Sequence, residues 1–318
     1  MNRGLTIRWL AIRTALPWAL VVTLAAVACA PSETPAPRII VSGASGQLGG
    51  LVVEELLATG VAPSDLILVS RTPEDLARYA ALGASTRFGD FTQPESLGAA
   101  YEGGDRMLLI SLNTRGNPNP RVATERAALQ KTAIEAAVAA GVEHIVYTSF
   151  VDADRNVSPI AADHRITEAD LRASGVAWTS LRNQWYADRV VGEAADMIAQ
   201  GRVLVRPDDP GTAYVTREDC AAAAAAALTT PGHENRVYEV TGPALIRTRD
   251  IAAIASEIAG VEIEVIEATP EQIAGLPEVP PSGATLSTHF RELTGREGTT
   301  ARQLLEADRE ALVVARSN

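Results

Sequence analysis

The sequence predicts an α/β fold in which a doubly wound parallel sheet carries a smaller C-terminal lobe. Three observations predict it. Short apolar runs such as Ile39-Ile40-Val41 and Leu66-Ile67-Leu68-Val69 read as buried strands. Segments of helical periodicity separate them, which argues for parallel strands joined by crossover helices. The first strand-to-helix turn, Gly43-Ala44-Ser45-Gly46-Gln47-Leu48-Gly49, holds three glycines.

The elements follow in order. Strand one covers Arg38 to Ser42, and its helix runs to about Ala58, with Leu48, Leu51, Val52, Leu56 and Leu57 on one face. Strand two is Leu66 to Ser70. Thr72-Pro73-Glu74 opens the next helix, with proline at the first helical position and an acid in the first turn. A short third strand, Ser85 to Phe88, ends in Gly89-Asp90. Strand four is Arg106 to Ser111. A loop rich in Asn, Gly and Pro (Asn113 to Pro120) precedes a helix over about Arg121 to Ala140, closed by Gly141. Strand five is His144 to Ser149, and a helix over Ala161 to Ala173 leads to strand six, Val176 to Leu181. Beyond lie an alanine-rich helix opened by Thr216-Arg217-Glu218-Asp219, a strand over Val237 to Thr241, a helix over Arg247 to Ala259 and a strand over Val261 to Ile266. The reading divides the chain into a leader and linker (1–37), a dinucleotide-binding core (38–185) and a lobe interleaved with the last core strands (186–318).

Composition narrows the function. The chain has 318 residues, 47% of them apolar, and a net charge of −11, and Lys131 is its only lysine. No basic stripe exists, so neutralising a nucleic-acid backbone is excluded as a main activity. Cys29, Cys220 and the four histidines have no metal-ligand spacing, so no metal is expected.

Residues 1 to 30 read as a leader. Arg3, Arg8 and Arg13 precede a mostly apolar run from Ala15 to Ala30, with Ala26-Val27-Ala28 as a cleavage-like site and Cys29 after it. That predicts export or lipid anchoring through Cys29, and hence a membrane tether. Dinucleotide chemistry predicts instead a cytoplasmic protein whose start lies further downstream.

The glycines explain the core. Without a Cβ, backbone N–H groups approach a pyrophosphate closely, and the helix N-terminus adds free donors and a favourable dipole. The spacing is G-x-x-G-x-x-G. Ligands of such sheets bind beyond the carboxyl ends of the strands, so the strand ends supply the remaining candidates. After strand two stands Arg71, where an enzyme using NAD would place an acid for the ribose. A guanidinium suits a 2′-phosphate, so NADP(H) is expected over NAD(H). Asp90 would flank the adenine, Ser111 and Asn113 the ribose and pyrophosphate, and Tyr147, Thr148 and Ser149 the nicotinamide, with Phe150 beside the substrate.

A tyrosine made acidic by a lysine four residues on is the usual proton donor for alcohol–carbonyl interconversion. None of the six tyrosines has that partner. An acceptor needing less acid assistance, such as a quinone or a cationic dye, is therefore favoured.

These residues resemble the NmrA-like branch of atypical short-chain dehydrogenase/reductases, nearest the NAD(P)H:quinone oxidoreductase type 2 group. The similarity runs from about Arg38 to Glu306. It rests on Val41 to Gly49, Leu108 to Ser111, Ala140 to Val142 and Ile145 to Ser149. It rests further on His164 with Thr167-Glu168 (H-x-x-T-E), Arg182-Asn183-Gln184-Trp185-Tyr186 (R-N-G-W-Y), Thr216 to Asp219 and Leu293 to Arg296. The resemblance implies a Rossmann core, NADPH and two-electron transfer to a small quinone-like acceptor. It implies that Asn183, Trp185 and Tyr186 border the substrate cleft, with Tyr186 and His164 as candidates for proton work. Gln184 stands where the pattern has glycine, and the stretch between Pro270 and Thr294 is shortened. A non-catalytic NADP(H) sensor is the alternative reading.

Overall fold

The computed structural model describes residues 1, 36–113, 125–274 and 281–315. The expected leader over residues 1–30 lies, apart from Met1, outside the described residues, as do residues 121–124 at the expected start of the fourth helix. Among the described residues no helix is long and apolar enough to cross a membrane.

Seven strands form one sheet in the order β3-β2-β1-β4-β5-β6-β8, with every neighbouring pair parallel. They are β1 Ile39–Ser42, β2 Leu66–Ser70, β3 Ser85–Phe88, β4 Arg106–Leu109, β5 His144–Phe150, β6 Ala177–Asn183 and β8 Arg236–Val240. The central strands are buried on both faces, so alternate residues feed two cores. Val41, Leu68, Leu108, Val146 and Leu181 point to one side. Ile40, Ile67, Met107, Ile145 and Tyr147 point to the other. This is why those strands read as continuous apolar runs and not as alternating ones.

The first face is covered by α1 Gln47–Ala58 and α7 Arg217–Thr229. The alanine run Ala221 to Ala227 is almost wholly buried there, and its small side chains let the two helices approach closely. The second face is covered by α3 Leu97–Tyr101, α4 Arg126–Ala139 and α5 Pro159–Ala173. Between β2 and β3 the chain makes a 3-10 turn over Pro73–Leu76 and then α2 Ala77–Ala81.

A separate cluster is built by α6 Asp188–Gln200, α8 Thr248–Ala259, α11 Ala301–Ala307 and α12 Arg309–Ala315, beside a parallel pair of β7 Arg202–Val205 and β9 Glu264–Glu267. Two further short helices are α9 Pro270–Ile273 and α10 His289–Thr294, and α10 packs on α7 and β8.

The structure moves several expected boundaries. Strand β4 stops at Leu109 because the N–H of Ser111 donates to the Thr148 hydroxyl at 2.9 Å and not to a neighbouring strand. Strands β5 and β6 run one and two residues further, to Phe150 and Asn183, since the two ladders stay paired to that point. Strand β9 begins at Glu264, where its register with β7 starts.

Candidate active site

The glycine turn sits at the carboxyl end of β1, which has β2 on one side and β4 on the other. That is the switch point where the crossovers diverge and open a crevice. Two glycines are required by the backbone. Gly43 has φ +89°, a conformation that strains any side chain. At Gly49 a Cβ would lie 2.1 Å from the Gly43 carbonyl oxygen and 2.8 Å from Ala44 Cα, so only glycine lets α1 dock onto the turn. Gly46 differs. Its backbone is extended, and a Cβ there would meet only the Gly43 oxygen, at 3.2 Å.

Gly43, Ser45, Gly46 and Gln47 are exposed, whereas Ala44, Leu48 and Gly49 are buried. Gly46 caps α1 without a side-chain hydrogen bond. A helix N-terminus with exposed glycine and no capping side chain offers its N–H groups outward, and this fits a dinucleotide pyrophosphate. Gly43 and Ala44 both donate to the Val69 carbonyl, fixing the turn on β2.

Arg71 lies beside this turn. The Ser45 and Ser70 hydroxyls are 2.6 Å apart, and Thr72 N–H donates to the Ser70 hydroxyl at 2.9 Å. Arg71 between them is exposed and makes no hydrogen bond or ion pair within the described residues. Asp90 is occupied locally, its carboxylate accepting from Thr92 N–H and hydroxyl at 2.9 Å each.

The next strand ends are held from beneath. Leu112 donates its N–H to Gln130 Oε1 (3.2 Å), and its carbonyl accepts from Arg126 Nε (2.7 Å). Arg126 and Gln130, one turn apart on α4, thus clamp the backbone between Ser111 and the exposed Asn113.

Two of the expected cradle side chains turn away. Tyr147 is fully buried on the α4–α5 side, its hydroxyl 2.8 Å from His164 Nδ1 and 3.4 Å from Gln130 Oε1. Ser149 donates to Glu168 on α5 at 2.8 Å. Period-two alternation sends both into the helix layer. Thr148, between them, reaches the Ser111 loop.

His164 is likewise enclosed. Its Nε2 is 2.9 Å from Arg126 Nη2. A guanidinium only donates, so Nε2 accepts, Nδ1–H donates to the Tyr147 oxygen, and the Tyr147 hydroxyl donates its hydrogen bond to Gln130 Oε1. Burial and the adjacent Arg126 charge hold the His164 pKa well below the usual value, so the ring stays neutral. His164, a candidate for proton work, thus has both ring nitrogens engaged within the helix layer, by Arg126 and by Tyr147.

The substrate candidates gather at the ends of β5 and β6. Phe150 packs edge-on to Trp185, with centroids 5.0 Å apart, and face-on to His164 at 6.1 Å. Asn183 Oδ1 and Trp185 Nε1 are buried without a hydrogen-bond partner among the described residues. Tyr186 packs on the α1–α7 side, away from His164, and the Arg217 guanidinium lies 4.4 Å over its ring. Burial, and secondarily Cys220, raises the Tyr186 pKa; Asn183 and Arg217 oppose this and do not overcome it. Tyr186 therefore remains protonated at neutral pH.

The remaining recognisable motif residues are structural. Glu168, from the H-x-x-T-E stretch, receives both Nε and Nη2 of Arg182 at 2.8 Å, together with Ser149 and Ser180. Burial alone would raise the Glu168 carboxyl; the Arg182 charge and these donors hold it down to about 2. Arg182 also donates to Asp154 and Glu239, which converge with Asp152 within 4.8 Å, so protein cations serve those carboxylates. The later landmarks meet as well. Buried Asp219 accepts from Arg296 at 2.9 Å and from Thr299 N–H at 2.7 Å.

Comparison with known proteins agrees with this geometry. Residues 43–231 match the model of a family described as NAD(P)H-binding. Quinone oxidoreductase 2 of Escherichia coli (strain K12) is 35% identical over 225 residues, which cover 71% of this chain and 76% of that protein. The NAD(P)H azoreductase of Xenophilus azovorans is 30% identical over 236 residues, covering 74% and 78%. The structure of Citrobacter sp. triphenylmethane reductase complexed with NADP(H) superposes with a TM-score of 0.73 at 30% identity, over 85% of this chain and 99% of that one. The chain belongs to the NAD(P)H-binding family, in the NmrA-like branch that its motifs resemble.

Proposed function

We propose that this chain is an NADPH-dependent reductase that passes a hydride to a quinone-like or other flat acceptor. The observation that carries the reading is the exposed, uncapped glycine turn at the sheet's switch point, with Arg71 beside it and without a partner among the described residues. The relatives named for quinone, azo-dye and triphenylmethane reduction support the acceptor class.

Gly43 to Gly49 would hold the pyrophosphate, and Arg71 the 2′-phosphate that distinguishes NADPH from NADH. The Ser111 and Thr148 region would lie along the rest of the cofactor. Bound NADPH supplies the hydride; the chain positions it and the acceptor. Phe150, Asn183, Trp185 and Tyr186 would form the acceptor side, where an aromatic contact contributes about 1 kcal/mol. Protonated Tyr186 or water would return the proton, one hydride and one proton together converting quinone to hydroquinone.

The leader supports a tethered protein. The arginines and apolar run before Cys29 suit export and lipid attachment, and cell fractionation of the wild type against Cys29→Ser tests this.

The central test follows the near-ultraviolet absorbance of NADPH with the full chain and a panel of quinones, with NADH in parallel. Turnover favouring NADPH is expected. Tight NADPH binding without turnover on any acceptor would overturn the reductase in favour of a sensor.

A further inference from the structure

Resting on the reductase reading, we infer that Gln184 is a positioning residue that fixes the stretch Gly283 to Ser287 as one wall of the acceptor cleft. Gln184 follows β6 directly and is 2% exposed. Its Nε2 donates to the carbonyls of Gly283 (3.3 Å) and Thr285 (3.4 Å), and its Oε1 accepts from Trp185 N–H (3.0 Å). Only this orientation of the amide satisfies all three contacts, because the other would set its oxygen against two carbonyl oxygens.

The same stretch is tied at further points across the carboxyl ends of the strands. Ala213 N–H donates to Gly283 O at 3.1 Å. The Thr285 hydroxyl donates to Asp152, just past β5. The Ser287 hydroxyl donates to the Glu239 carbonyl at 2.6 Å, and Ser287 N–H to the Thr241 hydroxyl at 3.2 Å, at the end of β8. Leu286, between two anchored residues, remains half exposed. Thus Gln184 joins the strap to the backbone of Trp185, next to the unpartnered Asn183 Oδ1 and Trp185 Nε1. A glycine at position 184 would keep the strand end and lose the tether. The wall, its Leu286 side chain included, would then sit less firmly against a flat acceptor, while the cofactor turn on β1 would be untouched.

The test compares the full-length wild type with Gln184→Gly, Gln184→Glu and Leu286→Ala. Three quantities are read: the NADPH dissociation constant by fluorescence titration, KM and kcat for a small benzoquinone and a larger naphthoquinone, and limited proteolysis of the 283–289 stretch. Gln184→Glu keeps the acceptor for Trp185 N–H and removes the donor to the strap. Both Gln184 variants are expected to raise acceptor KM about tenfold, the loss of roughly two modest hydrogen bonds. NADPH affinity should stay within twofold and kcat within threefold, with faster cleavage of the strap. Leu286→Ala, at an exposed position that folding does not need, is expected to raise KM without faster cleavage. Acceptor KM at the wild-type value in all three variants, or a loss of NADPH affinity that matches the rise in KM, would overturn the inference. A wild type that binds NADPH and reduces no quinone would overturn the reductase reading itself.

Discussion

Gly46 and Gly49 lie three residues apart in the same turn, and the structure assigns them opposite consequences on replacement by alanine. At Gly49 the new methyl would sit 2.1 Å from the Gly43 oxygen, 2.8 Å from Ala44 Cα and 2.9 Å from the Gly43 carbonyl carbon. All three are backbone atoms and cannot rotate aside. The helix must shift off the turn, at a cost at or above the ~3 kcal/mol upper range of overpacking. For a chain of this size that lowers Tm by roughly 5–10 °C. At Gly46 the backbone is already extended (φ −76°, ψ 166°), and the methyl meets only the Gly43 oxygen, at 3.2 Å. Glycine to alanine at a helix N-cap costs less than ~1 kcal/mol, so Tm should fall by about 2 °C. On the proposed placing of the cofactor, that methyl would instead crowd the exposed N-terminus of α1 where the pyrophosphate would bind. Losing one charge-assisted hydrogen bond, worth about 1.5–3 kcal/mol, weakens NADPH binding about 10- to 150-fold. Thermal unfolding with and without NADPH reads both effects together, since the ligand raises Tm only as far as it binds the native state. The expected result is a stable Gly46→Ala with little NADPH-induced shift and a destabilised Gly49→Ala. Wild-type NADPH affinity in Gly46→Ala would refute the placing of the pyrophosphate on this turn. A wild-type Tm in Gly49→Ala would refute the packing argument.

Arg71→Ala should weaken NADPH binding by about tenfold and leave NADH binding unchanged, because the 2′-phosphate is the only difference between them. Arg71 is exposed and has no partner among the described residues, so the fold is not at stake, and an equal loss for both cofactors in parallel titrations would refute its role. Acid stability follows from Glu168, held down to about 2 from an ordinary 4.5 by Arg182 against the effect of burial. A depressed carboxyl stabilises the fold fully above pH ~4.5, and this contribution is lost as pH falls toward 2, amounting to about 3 kcal/mol at most. Urea unfolding at pH 6, 4 and 3 should show that decline and show it flattened in Glu168→Gln; an acid decline of equal size in the variant would assign the effect to other groups.

The sheet was legible because its strands are buried on both faces, so runs such as Ile39 to Val41 and Leu66 to Val69 carry their own signal. The glycine turn was legible because backbone geometry demands the residue type at Gly43 and Gly49. Missing from the sequence reading were α3, α6, β7 and the short helices α9 to α12. The signal for α6 existed in Val190, Ala194, Met197 and Ile198 at helical spacing, closed by Gly201 at φ 65°. Strand β7 is four residues long and only partly buried, which leaves little pattern to read. Side-chain direction was harder than position. Tyr147 and Ser149 stand at the right strand end, but alternation turns both toward the helices. Arg126 and Gln130 gave no local sign of their task, since their partners Leu112, His164 and Thr167 come from other segments.

The Arg126 cluster bears on the chemistry in a way that a missing Tyr-Lys pair alone does not. A reductase without a strong acid must either recruit another proton donor or choose an acceptor that does not need one early. His164 is the only histidine enclosed near the candidate cleft by the H-x-x-T-E stretch, and Arg126 forces its Nε2 to accept. Protonating His164 would set two cations 2.9 Å apart in a buried site, so the ring is closed to acid catalysis. Tyr186 is protonated, but burial makes it a weaker acid than a free tyrosine, the reverse of what lysine does for the usual catalytic pair. Neither residue offers strong acid assistance at the moment of hydride transfer. Carbonyl groups of sugars and ketones, which form a costly alkoxide without that help, are therefore poor partners for this site. A quinone, whose hydroquinone anion is stabilised by its own ring, takes the hydride first and the proton afterward. Arg126 meanwhile holds the Leu112 carbonyl at 2.7 Å, so the cation that keeps His164 out of proton transfer also sets the backbone along which the cofactor would lie.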